Sequence, residues 1–202
     1  MIRYFIFDFG RVIVDFAELE MTEKFVTDKR RIARAHRVIF DRLYWDRLDL
    51  GTISDREVKL GIMRRLGGRL GTEACLVYDN WVSTLTLIPH IEEAIAAAKK
   101  KGEGMYLLSN ISEKFAKDYP AVPRVAAALA PFDGMVFSGV VHLVKPDRRI
   151  YEHLLSTYGL APDECLFIDD SPKNIAGATA LGINTYLFDG DALKLKAYIE
   201  AL

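Results

Sequence analysis

Two cysteines in 202 residues, Cys75 and Cys165, lie far apart and show no CxxC spacing. That excludes a disulfide framework and a zinc knuckle, and it fits two ordinary core thiols in a reducing cytoplasm, the expected compartment. No charge of one sign dominates: 27 Lys and Arg face 28 Asp and Glu, a net charge of -1. A dedicated nucleic-acid binder is thereby excluded, because phosphate contacts need a basic excess. No apolar run approaches the ~18 residues needed to span a bilayer, so no membrane partner is expected. The apolar stretch before Asp8 is too short for a signal peptide and meets a carboxylate at once. With only 7 prolines and half of the residues hydrophobic, widespread disorder is excluded as well.

What remains is a soluble globular chain. Its length corresponds to about one domain, or one domain with a large insertion, at ~150 residues per domain. Such a chain buries roughly 70% of its extended surface and needs no structural metal to complete its core. Tyr4–Phe7 is a short, continuously apolar run ended by Asp8 and Gly10, the pattern of a strand buried on both faces. Similar runs recur at 105–108, 135–137, 165–168 and 185–188. Between them lie helical patterns. Ile91, Ala94, Ile95 and Ala98 share a face that closes on Lys99, Lys100 and Lys101 before Gly102, a cationic last turn and a terminating glycine. Ile150, Leu154 and Leu155 precede Gly159 in the same way, and Ile175, Ala178 and Leu181 precede Gly182. Strands alternating with helices predict an α/β fold, a Rossmann-like open parallel sheet covered on both sides.

Residues 16–87 break that rhythm. They read as helical throughout, with a capping box at Ser54 and Glu57, turn signals at Gly51 and Gly67-Gly68, and no convincing buried strand. The expected organisation is an α/β core of residues 1–15 and 88–202 with a helical cap, 16–87, inserted after the first strand. The crossings near Asp15 and Ile88-Pro89 would serve as hinges. Thirteen Lys and Arg against 11 Asp and Glu leave the cap slightly basic, while the remainder is acidic.

Ligands of open α/β sheets bind beyond the carboxyl ends of the strands, so the residue ending each apolar run matters most. In order these are Asp8, Ser109-Asn110, Lys145-Pro146 shortly after the third run, and Asp169-Asp170. A lone Asp after a strand is ordinarily a turn or cap residue. Carboxylate, hydroxyl, ammonium and paired carboxylates at successive ends are a different case.

The ordered set resembles the haloacid dehalogenase superfamily, over essentially the whole chain. The stretches that carry the resemblance are Phe5-Ile-Phe-Asp8-Phe-Gly10-Arg-Val-Ile-Val-Asp15, Leu107-Leu-Ser109-Asn110, Val144-Lys145-Pro-Asp147 and Leu166-Phe-Ile-Asp169-Asp170-Ser-Pro-Lys-Asn174, continued by Ile175-Ala-Gly177 up to Gly182. The family places its smaller helical cap between the first and second of these.

The resemblance implies a hydrolase in which Asp8 attacks phosphorus to give an aspartyl-phosphate that water then cleaves. It implies Mg2+ held by Asp8, the Gly10 carbonyl and the Asp169-Asp170 pair, a hard-oxygen set suited to that ion. Asp170 is the principal acidic ligand by motif position, and Asp169 binds through water or orients Lys145. The Ser109 hydroxyl, the Asn110 backbone N–H and the Lys145 ammonium would hold the phosphate oxygens. Pro146 would set the direction in which Lys145 leaves its strand, Asp147 would cap the next helix and Asn174 would brace the acidic loop.

One position departs from the family's phosphatase pattern. An aspartate acting as general acid and base usually stands two residues after the nucleophile, and here that position is Gly10. General acid–base catalysis contributes about 10²- to 10⁴-fold. Either the leaving group is a better one, such as the anomeric oxygen of a sugar 1-phosphate, or another carboxylate, Asp15, Asp46 or Asp49, stands in. The form Asp-Phe-Gly-Arg-Val-Ile-Val-Asp resembles a subgroup that includes bacterial glucose-1-phosphate phosphatases, as does the segment from Trp45 to Ser54 with its Gly51-Thr-Ile-Ser54. The partner is then a small-molecule phosphate ester, hydrolysed by a monomer or weak homo-oligomer.

Two other readings compete. A 2-haloacid dehalogenase also lacks the second aspartate, since Asp8 would attack carbon and expel halide without a metal, but the Asp169-Asp170 pair favours a cation site. A catalytically silent phosphate-metabolite sensor would treat Gly10 as lost chemistry. A kinase reading of Asp8-Phe-Gly10 fails because no Gly-rich loop or His-Arg-Asp segment accompanies it. In the cap, Lys29, Arg30, Arg31, Arg34 and Arg37 read as a solvated helix face, with anion steering as the alternative. Trp45 and Trp81 read as core, with Trp45 the one that could stack on a sugar. His36, His90, His142 and His153 show no metal-ligand spacing.

Overall fold

The computed structural model describes residues 1–202. The apolar runs become strands because a strand inside a parallel sheet buries side chains on both faces, as the three inner strands do here, while the edge strands are more open. The strands are β1 (Tyr4–Phe7), β4 (Gly104–Ser109), β5 (Gly134–Phe137), β6 (Cys165–Asp169) and β7 (Asn184–Leu187), numbered in chain order around a second, two-stranded element described below. They form one parallel sheet in the order β5-β4-β1-β6-β7. Phe5, Phe7, Met105, Leu107, Leu166 and Ile168 face one side, and Ile6, Leu108, Val136, Cys165 and Phe167 face the other. That alternation is the period of two expected along a strand.

Seven helices accompany the sheet: α6 (Ile91–Lys101), α7 (Glu113–Asp118), α8 (Pro123–Leu129), α9 (Ser138–Val141), α10 (Arg148–Tyr158), α11 (Pro172–Thr179) and α12 (Ala192–Ala201). The chain moves outward from β1 through β4 to β5, then crosses to β6 and β7 on the opposite side. The strand order therefore reverses at β1, whose carboxyl end lies between those of β4 and β6. In open α/β sheets that crevice is where ligands bind.

Between β1 and α6 lie five further helices: α1 (Glu18–Glu23), α2 (Ile32–Ile39), α3 (Arg42–Asp49), α4 (Asp55–Leu66) and α5 (Gly68–Thr84). The capping box of α4 forms in full, with the Glu57 N–H donating to Ser54 Oγ at 3.3 Å and the Ser54 N–H to Glu57 Oε2 at 2.9 Å. On α5, Leu70, Ala74, Val77, Tyr78, Trp81 and Val82 recur at helical spacing and are all buried. The side chains of the basic stretch from Lys29 to Arg37 sit on the exposed side of α2 and the turn before it, while Ala35, Val38 and Ile39 face inward. One core of 40 buried residues joins these helices to a sheet face, and a separate group of 12 covers the other face. The junction is aromatic: Trp81 stacks on Phe115 at 5.8 Å, and Phe115 lies 4.6 Å from Phe9. No helix is long and apolar enough to cross a membrane.

Two features differ from the sequence reading. Val14–Asp15 (β2) and Thr86–Leu87 (β3) pair antiparallel at the base of the helical segment, where no strand was expected. Two residues are too few to display an alternating pattern, and backbone pairing of the segment's two ends creates this ribbon. Lys145 also does not leave a strand directly, because α9 and a turn intervene after β5. The direction of its side chain is set by contacts rather than by the strand.

Candidate active site

Asp8 follows β1, and its N–H donates to the Ile168 carbonyl of β6 at 2.9 Å, which carries the ladder one residue past the strand. Its side chain turns back onto the backbone: the Phe9 N–H donates to Asp8 Oδ1 at 2.7 Å. The Lys145 ammonium meets the same oxygen at 2.8 Å, leaving Oδ2 without a partner. Lys145 also donates to Asp169 Oδ2 at 2.7 Å and to the Leu108 carbonyl at 2.9 Å. Three donors thus meet three acceptors, which fixes a charged group that would otherwise be costly to bury.

The Lys145 loop is held by a reciprocal pair. Its N–H donates to Asn110 Oδ1 at 2.7 Å, and Asn110 Nδ2 donates to the Lys145 carbonyl at 2.9 Å. Asn110 therefore bolts the loop bearing the lysine to the end of β4, which stands beside the backbone role expected for it. Asp147 caps α10 by accepting from the Arg149 N–H at 2.9 Å. Asn174 braces Asp169, donating to its oxygens at 3.0 Å, while the Ser171 N–H adds a bond of 2.8 Å to Oδ1.

Asp8, Asp169 and Asp170 each offer a carboxylate oxygen within 4.8 Å of the others, and no histidine or cysteine joins them. Their surroundings differ. Asp169 is saturated by Lys145, Ser171 and Asn174, whereas the half-buried Asp170 makes no side-chain hydrogen bond. Burial raises the Asp170 carboxyl above its ordinary value, the neighbouring Asp169 adds to the rise and Arg11 opposes it. Asp8 is pushed up to about 7, first by burial and further by Asp169, with Lys145 opposing. Burial works against the Lys145 ammonium too, but Asp8 and Asp169 outweigh it and keep it above its ordinary value. The free Oδ2 of Asp8 and the unpartnered Asp170 carboxylate, beside a saturated third, are a donor set that fits a hard divalent cation.

These groups open into a cavity of about 520 Å³ between the sheet edge and the helical segment. Asp8, Gly10, Ser109, Asn110, Lys145 and Asp170 line its floor. Phe16, Phe40, Trp45 and Trp81 line one wall, with Trp45 stacked on Phe40 at 5.4 Å and its indole N–H satisfied by the Ile39 carbonyl at 2.8 Å. Arg11, Glu18, Arg42, Asp49, Lys173 and Asn174 are also in the lining. Arg11 stands on the turn after Gly10 with a φ of 60°, a left-handed conformation uncommon outside glycine.

A model of the haloacid dehalogenase-like hydrolases matches residues 2–182. The chain belongs to that family. A sesquiterpene phosphatase of Aspergillus oryzae is 23% identical over 88% of this chain and 85% of its own. A phosphoserine phosphatase of Thermus thermophilus is 32% identical over 51% of this chain, a match that spans 41% of that enzyme. Among solved structures, a haloacid dehalogenase family enzyme of Bacteroides thetaiotaomicron in complex with magnesium and inorganic phosphate superposes with a TM-score of 0.66. It is 22% identical, covering 92% of this chain and 93% of that one. Solved dehalogenases share the fold to a similar degree. The protein is thus a hydrolase with phosphatases among its relatives.

The structure brings every residue singled out at the strand ends of this hydrolase to one place: Asp8, Gly10, Ser109, Asn110, Lys145 and Asp170 line the cavity, and Asp169 lies directly behind Lys145. Of the three carboxylates considered as stand-ins, Asp49 alone lines the cavity. Asp15 is exposed on the ribbon, and Asp46 is exposed and paired with Arg42 at 2.5 Å. The basic stretch 29–37 is absent from the lining, which takes its positive charge beyond Lys145 from Arg11, Arg42 and Lys173. Nothing in the spacing of those residues marks them, because they come from three separate parts of the chain.

Proposed function

We propose that this hydrolase is a Mg2+-dependent phosphatase of a small phosphate monoester, a sugar phosphate such as a hexose 1-phosphate, acting through an aspartyl-phosphate on Asp8. The observation that carries the reading is the buried Lys145 ammonium clamped between Asp8 and Asp169, in the cavity that Ser109 also lines. It aligns the nucleophile and presents positive charge where phosphate oxygens would gather. With Oδ1 of Asp8 held by Phe9 and Lys145, Oδ2 is the oxygen free to attack phosphorus in line with the leaving group.

Asp8, the Gly10 carbonyl and Asp170 would hold the metal, with Asp169 acting from behind through Lys145 and solvent. When bound, the cation supplies charge neutralisation for an anionic nucleophile approaching an anionic ester. Ser109 Oγ and the Asn110 N–H would hold the remaining phosphate oxygens. The helical segment 16–87 acts as the cap, so that chemistry resides on the sheet and substrate choice on the cap. A half-exposed Trp45 ring beside Glu18 and Arg42 supports a polyol ester, with an apolar surface for the ring face and polar groups for hydroxyls.

A panel of phosphate esters, 1-phosphates against 6-phosphates, with and without Mg2+, tests the reading. Phosphate release that EDTA suppresses and Asp8→Asn abolishes is the expected result. Undiminished p-nitrophenyl phosphate hydrolysis by Asp8→Asn would remove the nucleophile assignment. Metal-independent halide release from 2-chloropropionate would establish the dehalogenase in its place, and tight phosphate-ligand binding without turnover would establish the sensor.

A further inference from the structure

We propose that Asp49, reaching in from the helical segment, is the catalytic general acid and base of this hydrolase and does the work of the aspartate absent at position 10. The inference rests on the phosphatase reading above and concerns a residue which that reading leaves without a role.

Asp49 is the last residue of α3 and lines the same cavity as Asp8 and Lys145. Its carboxylate makes no hydrogen bond and no ion pair within the chain, unlike its neighbour Asp46. An acidic side chain in the final turn faces the negative end of the helix dipole, a placement that costs stability and favours the protonated form. Burial pushes the Asp49 carboxyl up to about 7. Arg42 opposes that rise, Asp46 and Asp8 add to it, and Lys145 opposes it weakly. Arg11, Glu18, Asp170 and Lys173 are the other charged groups lining the cavity. A carboxyl that holds its proton near neutral pH is matched to general acid–base work.

The position is also fastened to α9. His142, in the turn after α9, meets the Leu50 carbonyl through Nδ1 at 3.1 Å. Gly51 adopts a φ of +68°, and a Cβ there would lie 2.4 Å from the Gly139 carbonyl oxygen. The end of α3 is thus clasped against α9, the short helix that follows β5, so Asp49 is held relative to Asp8 rather than swinging on a loose loop. Space at position 10 is open, since a Cβ there would meet nothing within 4 Å.

The chemistry balances. As Asp8 Oδ2 forms its bond to phosphorus, the bond to the leaving oxygen breaks and that oxygen takes the proton of Asp49. Water then attacks the aspartyl-phosphate, giving a proton to the Asp49 carboxylate while the bond from phosphorus to Asp8 breaks. Inorganic phosphate leaves, with Asp8 ionised and Asp49 protonated as at the start.

The test is the ratio of kcat/KM for an alkyl phosphate to kcat/KM for 2,4-dinitrophenyl phosphate, whose leaving group needs no proton, in wild type and Asp49→Asn with Mg2+ present. Because kcat/KM stops at transfer to Asp8, the ratio is expected to fall about 10²- to 10⁴-fold. Measured in one preparation, it is independent of the folded fraction, and Asp49→Glu, expected to recover part of the ratio, provides a second variant. An unchanged ratio, with both esters losing equally or neither losing, overturns the proposal. A wild-type protein inactive on both esters refutes the phosphatase reading itself.

Discussion

Replacing Lys145 by Met removes one charge from a buried triad and leaves the other two facing each other. The Lys145 side chain is 1% exposed, that of Asp169 0% and that of Asp8 11%, with the ammonium 2.8 and 2.7 Å from the two carboxylates. Met fills nearly the same volume, so no large cavity confounds the result. Breaking a buried pair from one side costs about 3–5 kcal/mol, because the two remaining carboxylates lose the counter-charge they share and keep only neutral donors. For a domain of this size each kcal/mol corresponds to about 2–4 °C of Tm, so the variant is expected to melt roughly 6–20 °C early. Lys59→Met is the reference. Lys59 pairs with Asp79 at 3.0 Å, but both side chains are 39% exposed, and a surface pair of that kind is worth about 0–1 kcal/mol. Thermal and urea melts followed by circular dichroism at neutral pH in EDTA compare the two without a metal compensating for the lost ammonium. A loss for Lys145→Met no greater than that for Lys59→Met would refute the view that this ammonium holds the site together.

Two further substitutions probe the clasp and position 10. Gly51→Ala puts a Cβ into a left-handed residue, at about 1–2 kcal/mol, and 2.4 Å from the Gly139 oxygen. It is expected to lower Tm and to lose more kcat/KM on alkyl than on dinitrophenyl esters as the end of α3 is displaced, and a variant matching wild type in both measurements would show that the clasp does not position Asp49. Gly10→Asp meets open space and, placed in the Asp49→Asn background, is expected to restore part of the about 10²- to 10⁴-fold loss. Steady-state kinetics on an alkyl phosphate decides it, and no recovery would count against proton transfer as the function lost with Asp49.

The strands of the sheet were legible because a parallel sheet covered on both faces writes itself as uninterrupted apolar runs. The polar residues ending those runs were legible for the same reason, since an open α/β sheet gathers its strand ends at one edge. The ribbon of β2 and β3 was hidden because two residues carry no period. Asp49 could not be told from Asp15 and Asp46, as all three are acidic residues in polar surroundings along the chain. Arg11, Arg42 and Lys173 carried no signal at all, since surface-type charges are common at every such position.

By itself the sequence determined the layered α/β architecture, the helical segment between its first two core strands and the set of groups at the strand ends. Each follows from local apolar periodicity and from the side chains that interrupt it, which are properties of consecutive residues. Only the tertiary structure decided which charges meet. It set Lys145 between Asp8 and Asp169, saturated Asp169 while leaving Asp170 unpartnered, and turned Asp49 rather than Asp46 into the cavity. Coulombic attraction and burial depend on distance through space, and in this chain the residues that share the cavity come from segments far apart in sequence.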